Sequence, residues 1–159
     1  YRNCMIRAQD TDLWLRFSEY GELSAIPFPL VSIRQHPEQL SAGQGVYEQF
    51  LMGWSAVISY KLRRNNLTDP LSCGMDASSR FRDFVKEQLV GIGFFAIRSL
   101  KHDLKQSFKE HSLLAFLFWL KSFMTSLLYN PFLLIYFLAE SRVNNYLSDR
   151  IASKWAGKG

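Results

Sequence analysis

A helical repeat of apolar residues runs through most of the chain after position 45. Between residues 47 and 64, large apolar side chains recur every three or four positions, as on one face of an amphipathic helix. Asn65 and Asn66 follow and end the pattern. A second repeat starts near Asp76 and continues to residue 109, weakened in its middle by glycines at 91 and 93. We therefore predict two long helices in this part of the chain.

The third helical stretch is the most apolar part of the chain. Residues 113–120 are entirely apolar, and after Lys121 residues 122–139 carry no charge. Asn130 and Pro131 divide this second run, with Asn as a helix cap and Pro at the first helical position. Neither half reaches the roughly 20 apolar residues that a membrane-spanning helix needs. Such helices are either deeply buried in protein or in contact with lipid.

The first 44 residues have a different pattern. Residues 10–20 place apolar side chains on one face of a short helix, and Gly21 is a typical stop signal. Residues 22–26 and 30–34 flank Pro27-Phe28-Pro29, where two prolines forbid helix and favour extended structure. One helix and two short strands predict the α/β edge of a larger domain. We place a boundary in the polar loop 41–45, giving regions 1–44 and 45–159.

Composition narrows the classes of partner. Hydrophobic residues make up 48% of the chain, which excludes disorder, and the net charge of +5 favours an anionic partner. The basic residues are scattered among apolar helices rather than clustered with aromatics, so we expect no nucleic-acid binding. Cys4 and Cys73 lie in no metal or redox motif, and we expect reduced, buried thiols in a cytoplasmic protein.

The candidate chemistry lies near the start of the chain. Residues 8–16 read Ala-Gln-Asp-Thr-Asp-Leu-Trp-Leu-Arg. They are followed by Gly21, by Ile-Pro-Phe-Pro-Leu at 26–30, by Ile-Arg-Gln-His-Pro at 33–37 and by Ser41. This ordered set, which covers about a quarter of the chain, resembles the acceptor-side motifs of family-2 glycosyltransferases. The resemblance implies the C-terminal end of a GT-A catalytic domain.

Asp10 is the position that matches the catalytic base of this family. Transfer of a sugar from a nucleotide diphosphate requires a group that accepts the proton of the acceptor hydroxyl. A second interpretation is that Asp10 only caps its helix. The family usually has Glu where this chain has Gln9, so a neighbouring carboxylate is missing. Asp12 is expected to pair with Arg16 one turn later, and Trp14 at such a position is more often a core residue than a sugar platform.

Arg34 and His36 match an Arg-x-His element of the family. The resemblance implies that Arg34 contacts phosphate oxygens of the donor and that His36 lies near the diphosphate. In some members this histidine helps bind the divalent metal, Mn or Mg, so His36 is also the candidate metal ligand. The usual Asp-x-Asp metal motif is absent, because Asp10-Thr11-Asp12 leads into a helix rather than following a strand.

The resemblance predicts an inverting glycosyltransferase of cell-surface polysaccharide synthesis, truncated here at its N-terminus and inactive as this fragment alone. Its partners would be a nucleotide-sugar donor and a glycan or lipid-linked acceptor. Cations before the apolar helices favour a peripheral position on the anionic inner face of the cytoplasmic membrane. A soluble helical subdomain that packs on the catalytic domain or on a second subunit explains the same residues.

An alternative from another functional class is a non-catalytic helical module. It would anchor a protein at the membrane or form a homo-oligomer, and it would retain only a decayed catalytic edge. Gln9 and the missing nucleotide-binding half favour this alternative.

Overall fold

The computed structural model describes residues 1–32, 34, 45–109, 112–129 and 139–158. These residues form six α-helices. In chain order they are α1 (Gln9–Phe17), α2 (Gly45–Arg64), α3 (Met75–Gly91), α4 (Phe94–Lys109), α5 (Leu113–Tyr129) and α6 (Glu140–Ala156).

The helix ends follow local backbone chemistry. Asn66 has a left-handed backbone with φ of 56°, and the amide of Leu67 donates to the carbonyl of Leu62 beyond the end of α2. Gly93, with φ of 68°, separates α3 from α4, so the single long helix expected across 76–109 is two helices. The Ser112 hydroxyl accepts the amide hydrogen of Ala115 and caps α5.

The predicted α/β class is wrong: the described part of the chain is helical and contains no strand. Residues 22–32 are not helical, and they form no strand pairing with another described segment of the protein. Each of them is exposed. An extended segment becomes a strand only when another segment accepts and donates its backbone hydrogen bonds. Pro27 and Pro29 also have no amide hydrogen to donate. The β-rich composition at 30–32 is therefore not sufficient to make a sheet, and residue 33 of the predicted strand lies outside the described residues.

The chain divides into two compact units. One comprises Tyr1–Lys86 together with Ser148–Gly159, and the other comprises Glu87–Leu147. In the first unit the N-terminal segment packs with α1 and α2. The predicted boundary at 44/45 stays a prediction.

The first unit has a core built from aromatic and aliphatic side chains. Phe81 is fully buried, and its ring centroid lies 4.9 Å from that of Trp155 in α6. Met5 is also fully buried, and the guanidinium of Arg82 donates to the carbonyl of Cys4 at 2.9 Å. These contacts fix the chain immediately before α1, which determines where α1 begins.

The second unit contains the α4–α5 hairpin. The indole N–H of Trp119 donates to the carbonyl of Leu100 at 2.6 Å. The Trp119 ring stacks between those of Phe116 and Phe123, at centroid distances of 5.7 and 5.1 Å. Lys101 pairs with Glu140 at 2.5 Å. The stacked rings of Phe116, Trp119 and Phe123 therefore occupy one face of α5.

The described residues bear on two further expectations, which concern membrane-spanning helices and the two cysteines. None of the helices described is long and apolar enough to cross a membrane. Both cysteines are free, as expected, and Cys4 is buried, but Cys73 is exposed in the turn before α3, which corrects the prediction of two buried thiols.

Candidate functional site

The candidate site is the surface of α1, a helix of nine residues held against α2. Ala8 precedes the helix with a left-handed backbone, φ 52°, and provides no side-chain cap. Asp10 and Asp12 lie in the first turn, and Arg16 lies in the last. Carboxylates near the N-terminus and a cation near the C-terminus both complement the helix dipole.

Asp10 is exposed. One of its carboxylate oxygens, Oδ1, accepts the amide hydrogen of Thr11 at 2.8 Å. Asp10 lies inside the first turn, and Ala8 occupies the capping position. Its carboxylate is therefore exposed to solvent and also accepts a first-turn amide of α1 that has no acceptor within the helix, so both the base and the capping interpretation stay predictions.

Two aromatic side chains share the exposed face of α1 with Asp10. Trp14 and Phe17 follow Asp10 by four and seven positions, which brings all three to one side of the helix. Trp14 is 54% exposed and Phe17 is 50% exposed, with their ring centroids 6.5 Å apart. The expectation that Trp14 belongs to the core is therefore wrong.

Asp12 lies on the opposite face and is buried, with 1% of its surface exposed. Its Oδ2 atom accepts from Arg16 Nε at 3.2 Å and lies 3.5 Å from Arg2 Nε. The predicted pairing of Asp12 with Arg16 is thus confirmed, and Arg2 adds a partner from outside the helix. A buried carboxylate requires such partners because desolvation of an unpaired charge is costly. These contacts fix the rotation of α1.

Asp69 connects this pair to the end of α2. Its Oδ2 atom lies 2.7 Å from Arg2 Nη2 and 2.8 Å from Arg63 Nη1. Its Oδ1 atom accepts from the Ser59 hydroxyl and from the amide of Leu71. Arg2 therefore bridges two carboxylates, Asp12 under α1 and Asp69 in the loop that follows α2.

The electrostatics of Asp69 follow from these contacts. Burial alone would raise the pKa of its carboxyl group. Hydrogen bonds from Arg2 and Ser59, together with the charges of Arg2 and Arg63, outweigh burial and lower the pKa from 3.8 to about 2. Asp69 is thus held as a carboxylate at neutral pH.

Arg63 extends the network to the residues that follow α1. Its Nε and Nη2 atoms donate to Glu19 Oε1 at 2.8 and 2.6 Å. At the other end, Arg7 Nε donates to Glu48 of α2 at 3.0 Å. Ion pairs on both sides of α1 therefore hold it on α2.

Arg34 and His36 are the other two predicted site residues. Arg34 is exposed. His36 lies outside the described residues, as do the polar loop 41–44 and the split at Asn130-Pro131. Grouping of Asp10 with Arg34 and His36 thus stays a prediction.

The resemblance implies a divalent metal whose Asp-x-Asp ligands are absent from this chain, and His36, the candidate ligand here, lies outside the described residues. In the part of the chain that the structure describes, no three His, Cys, Asp or Glu side chains are grouped to hold an ion. We therefore derive no step through a metal.

Sequence reasoning missed the network of Arg2, Asp69 and Arg63. Arg2 and Asp69 are separated by 67 positions, and no periodic pattern relates them. A local signal existed at Asp69, because Asp before Pro favours a turn in which its carboxylate accepts an amide two residues on. The observed Leu71 hydrogen bond has that geometry.

Comparison with known proteins finds no matching family model, no matching curated protein and no matching solved structure.

Proposed function

We propose that the chain is the acceptor-side part of a family-2 glycosyltransferase and that Asp10 is its general base. The proposal rests on a difference in burial between two aspartates of the same helical turn. Asp12 is buried in ion pairs that fix α1, whereas Asp10 is exposed on the fixed helix. A catalytic base needs both a carboxylate that the acceptor can reach and a rigid position.

In the proposed reaction, the Asp10 carboxylate takes the proton of the acceptor hydroxyl. The hydroxyl oxygen then forms a bond to the anomeric carbon of the donor sugar, and the bond from that carbon to the diphosphate oxygen breaks. The nucleoside diphosphate leaves with the electron pair, and Arg34 stabilises its negative charge. Inversion at the anomeric carbon is implied by the family resemblance.

Trp14 and Phe17 supply an apolar surface beside the carboxylate. Ligand sites commonly combine aromatic side chains with a few placed polar groups. A glycan or lipid-linked acceptor can lie on this surface with one hydroxyl directed at Asp10. The nucleotide-sugar donor and a divalent Mn or Mg ion would be bound mainly by parts of the enzyme other than this chain, with His36 as the ligand proposed from here.

We place the full-length protein in the cytoplasm, at the inner face of the cytoplasmic membrane. Lipid-linked acceptors are found at that surface, and the helical region carries both cations and exposed apolar side chains.

The second candidate is a non-catalytic module that anchors or oligomerises a larger protein. Exposed Gln9, next to Asp10 where the family has Glu, and the exposed apolar face of α5 favour it. In that case Asp10 would have no role in sugar transfer.

Replacement of Asp10 by Asn in the full-length protein distinguishes the glycosyltransferase from the non-catalytic module. We expect the substitution to lower the turnover of acceptor-dependent sugar transfer by about 10²- to 10⁴-fold. Transfer would be measured with radiolabelled nucleotide sugars and membranes of producing cells. Asp76→Asn is the matched control, since Asp76 is also exposed in the first turn of its helix. Undiminished transfer by Asp10→Asn would exclude the base role.

A further inference from the structure

The outer face of α5 is an exposed apolar surface in the second unit. Seven large apolar side chains of this helix are exposed: Leu113, Leu114, Leu117, Phe118, Leu120, Met124 and Leu128. Helical spacing brings them to one broad side of a helix of 17 residues. Large contiguous apolar patches on a protein surface usually mark contact with a membrane or with another protein.

The opposite face of α5 is already used. Phe116, Trp119 and Phe123 stack along it, and the Trp119 indole donates to the carbonyl of Leu100 in α4. Phe116 also contacts Phe108 of α4, with ring centroids 5.8 Å apart. The aromatic packing fixes the rotation of α5, so its outer face is directed away from α4.

The charge on this face comes from Lys121. Lys121 is exposed on the outer side of α5, next to exposed Ser122 and Thr125. Helix α5 itself has no acidic residue. The surface therefore combines apolar side chains with one cation and carries no carboxylate of α5.

We propose that the outer face of α5 binds the surface of an anionic lipid bilayer. Its leucines and Phe118 enter the boundary between headgroups and acyl chains, with the helix axis along the plane of the surface. Lys121 extends its aliphatic stem across the same boundary and places its amine among lipid phosphates. The inference deepens the proposed membrane position by naming its surface, and it does not depend on sugar transfer by Asp10.

A second copy of the chain fits this face less well. Pairing two copies through α5 would carry Lys121 into an apolar contact on a helix that offers no carboxylate. An ammonium group removed from water without a partner is strongly unfavourable. At a bilayer the same amine keeps both water and phosphate within reach.

The test is flotation of the 159-residue chain with lipid vesicles. We expect it to float with vesicles of phosphatidylcholine and phosphatidylglycerol, and less with phosphatidylcholine alone. Leu117→Glu with Phe118→Glu should weaken binding at least about tenfold, because apolar contact is replaced by negative charge. Lys121→Gln should weaken it about fivefold on anionic vesicles, with little change on neutral ones.

Val90→Glu with Tyr146→Glu is the matched control, since both residues are exposed apolar positions on other helices. The control should bind as the unsubstituted chain does, with the same helix content by circular dichroism in all variants. Equal binding by the α5 variant, or failure of the unsubstituted chain to float with anionic vesicles, would overturn the proposal. So would a dimer in light scattering that the α5 substitutions dissociate while lipid binding is unaffected.

Discussion

Three aspartates show how burial divides chemical roles among identical side chains. Asp12 and Asp69 each accept contacts from guanidinium groups inside the first unit. Asp10 is exposed, and among the described residues its carboxylate accepts the amide hydrogen of Thr11. The residue types alone do not separate these roles, because each depends on which arginines the fold brings near.

Asp69→Asn is expected to lower the free energy of unfolding at pH 7 by about 2–3 kcal/mol, because Arg2 and Arg63 lose a buried carboxylate. The loss should depend on pH. The folded state holds the pKa of Asp69 at about 2, below its value of 3.8 in an unfolded chain. Its contribution is therefore complete above about pH 4 and is lost as the pH falls towards 2.

Urea unfolding of the 159-residue chain, measured at a series of pH values, checks this. The difference between the unsubstituted chain and Asp69→Asn should shrink between pH 4 and 2. Asp76→Asn, an exposed position, should stay within about 0.5 kcal/mol of the unsubstituted chain. A difference that is constant from pH 7 to 2 would show that the charge of Asp69 is not what stabilises the fold.

At the scale of elements, α1 depends on its neighbours. A nine-residue helix is too short to be stable by itself in water. Its helical structure therefore derives from packing on α2 and from the contacts of Asp12 with Arg2 and Arg16. The sequence identified this helix because its apolar spacing is a local signal, but the helix ends at Phe17, with Ser18 as its C-cap, before the predicted stop at Gly21.

Asp12→Ala is expected to increase amide hydrogen exchange across α1 by tenfold or more, because loss of a buried ion pair costs about 3 kcal/mol. Amides of α5, in the other unit, should keep their exchange rates. Gln9→Ala, an exposed position in the same helix, is the control. Hydrogen exchange with mass spectrometry measures the amide exchange rates of α1 and α5 in the unsubstituted chain, in Asp12→Ala and in Gln9→Ala. Unchanged exchange in α1 after Asp12→Ala would mean that packing alone holds the helix.

Other elements show where local reasoning fails. The amphipathic spacing of α2 and the asparagine stop at its end were sufficient to predict that helix. The expected strands were wrong because strand formation depends on a pairing partner, which residues 22–32 lack. The split between α3 and α4 was visible only as a weakness at two glycines, and Gly93 adopts the positive φ that breaks the helix.

At the scale of the whole molecule, two units carry two different proposals. The first unit presents Asp10 beside exposed aromatic rings, and the second presents the outer face of α5. The candidate base came from an ordered set of short motifs. The network of Arg2, Asp69 and Arg63 that supports its helix came only from the fold, because its members are far apart in the sequence. Long-range ion pairs have no sequence signature comparable to helical periodicity.

The central claim is that Asp10 takes the proton of an acceptor hydroxyl. The most direct measurement is a crystal structure of the full-length protein with a bound acceptor glycan. The account predicts a hydroxyl oxygen within about 2.6–3.2 Å of the Asp10 carboxylate, with the acceptor ring beside Trp14. An acceptor bound elsewhere, with Asp10 still in contact only with solvent and the amide of Thr11, would contradict it.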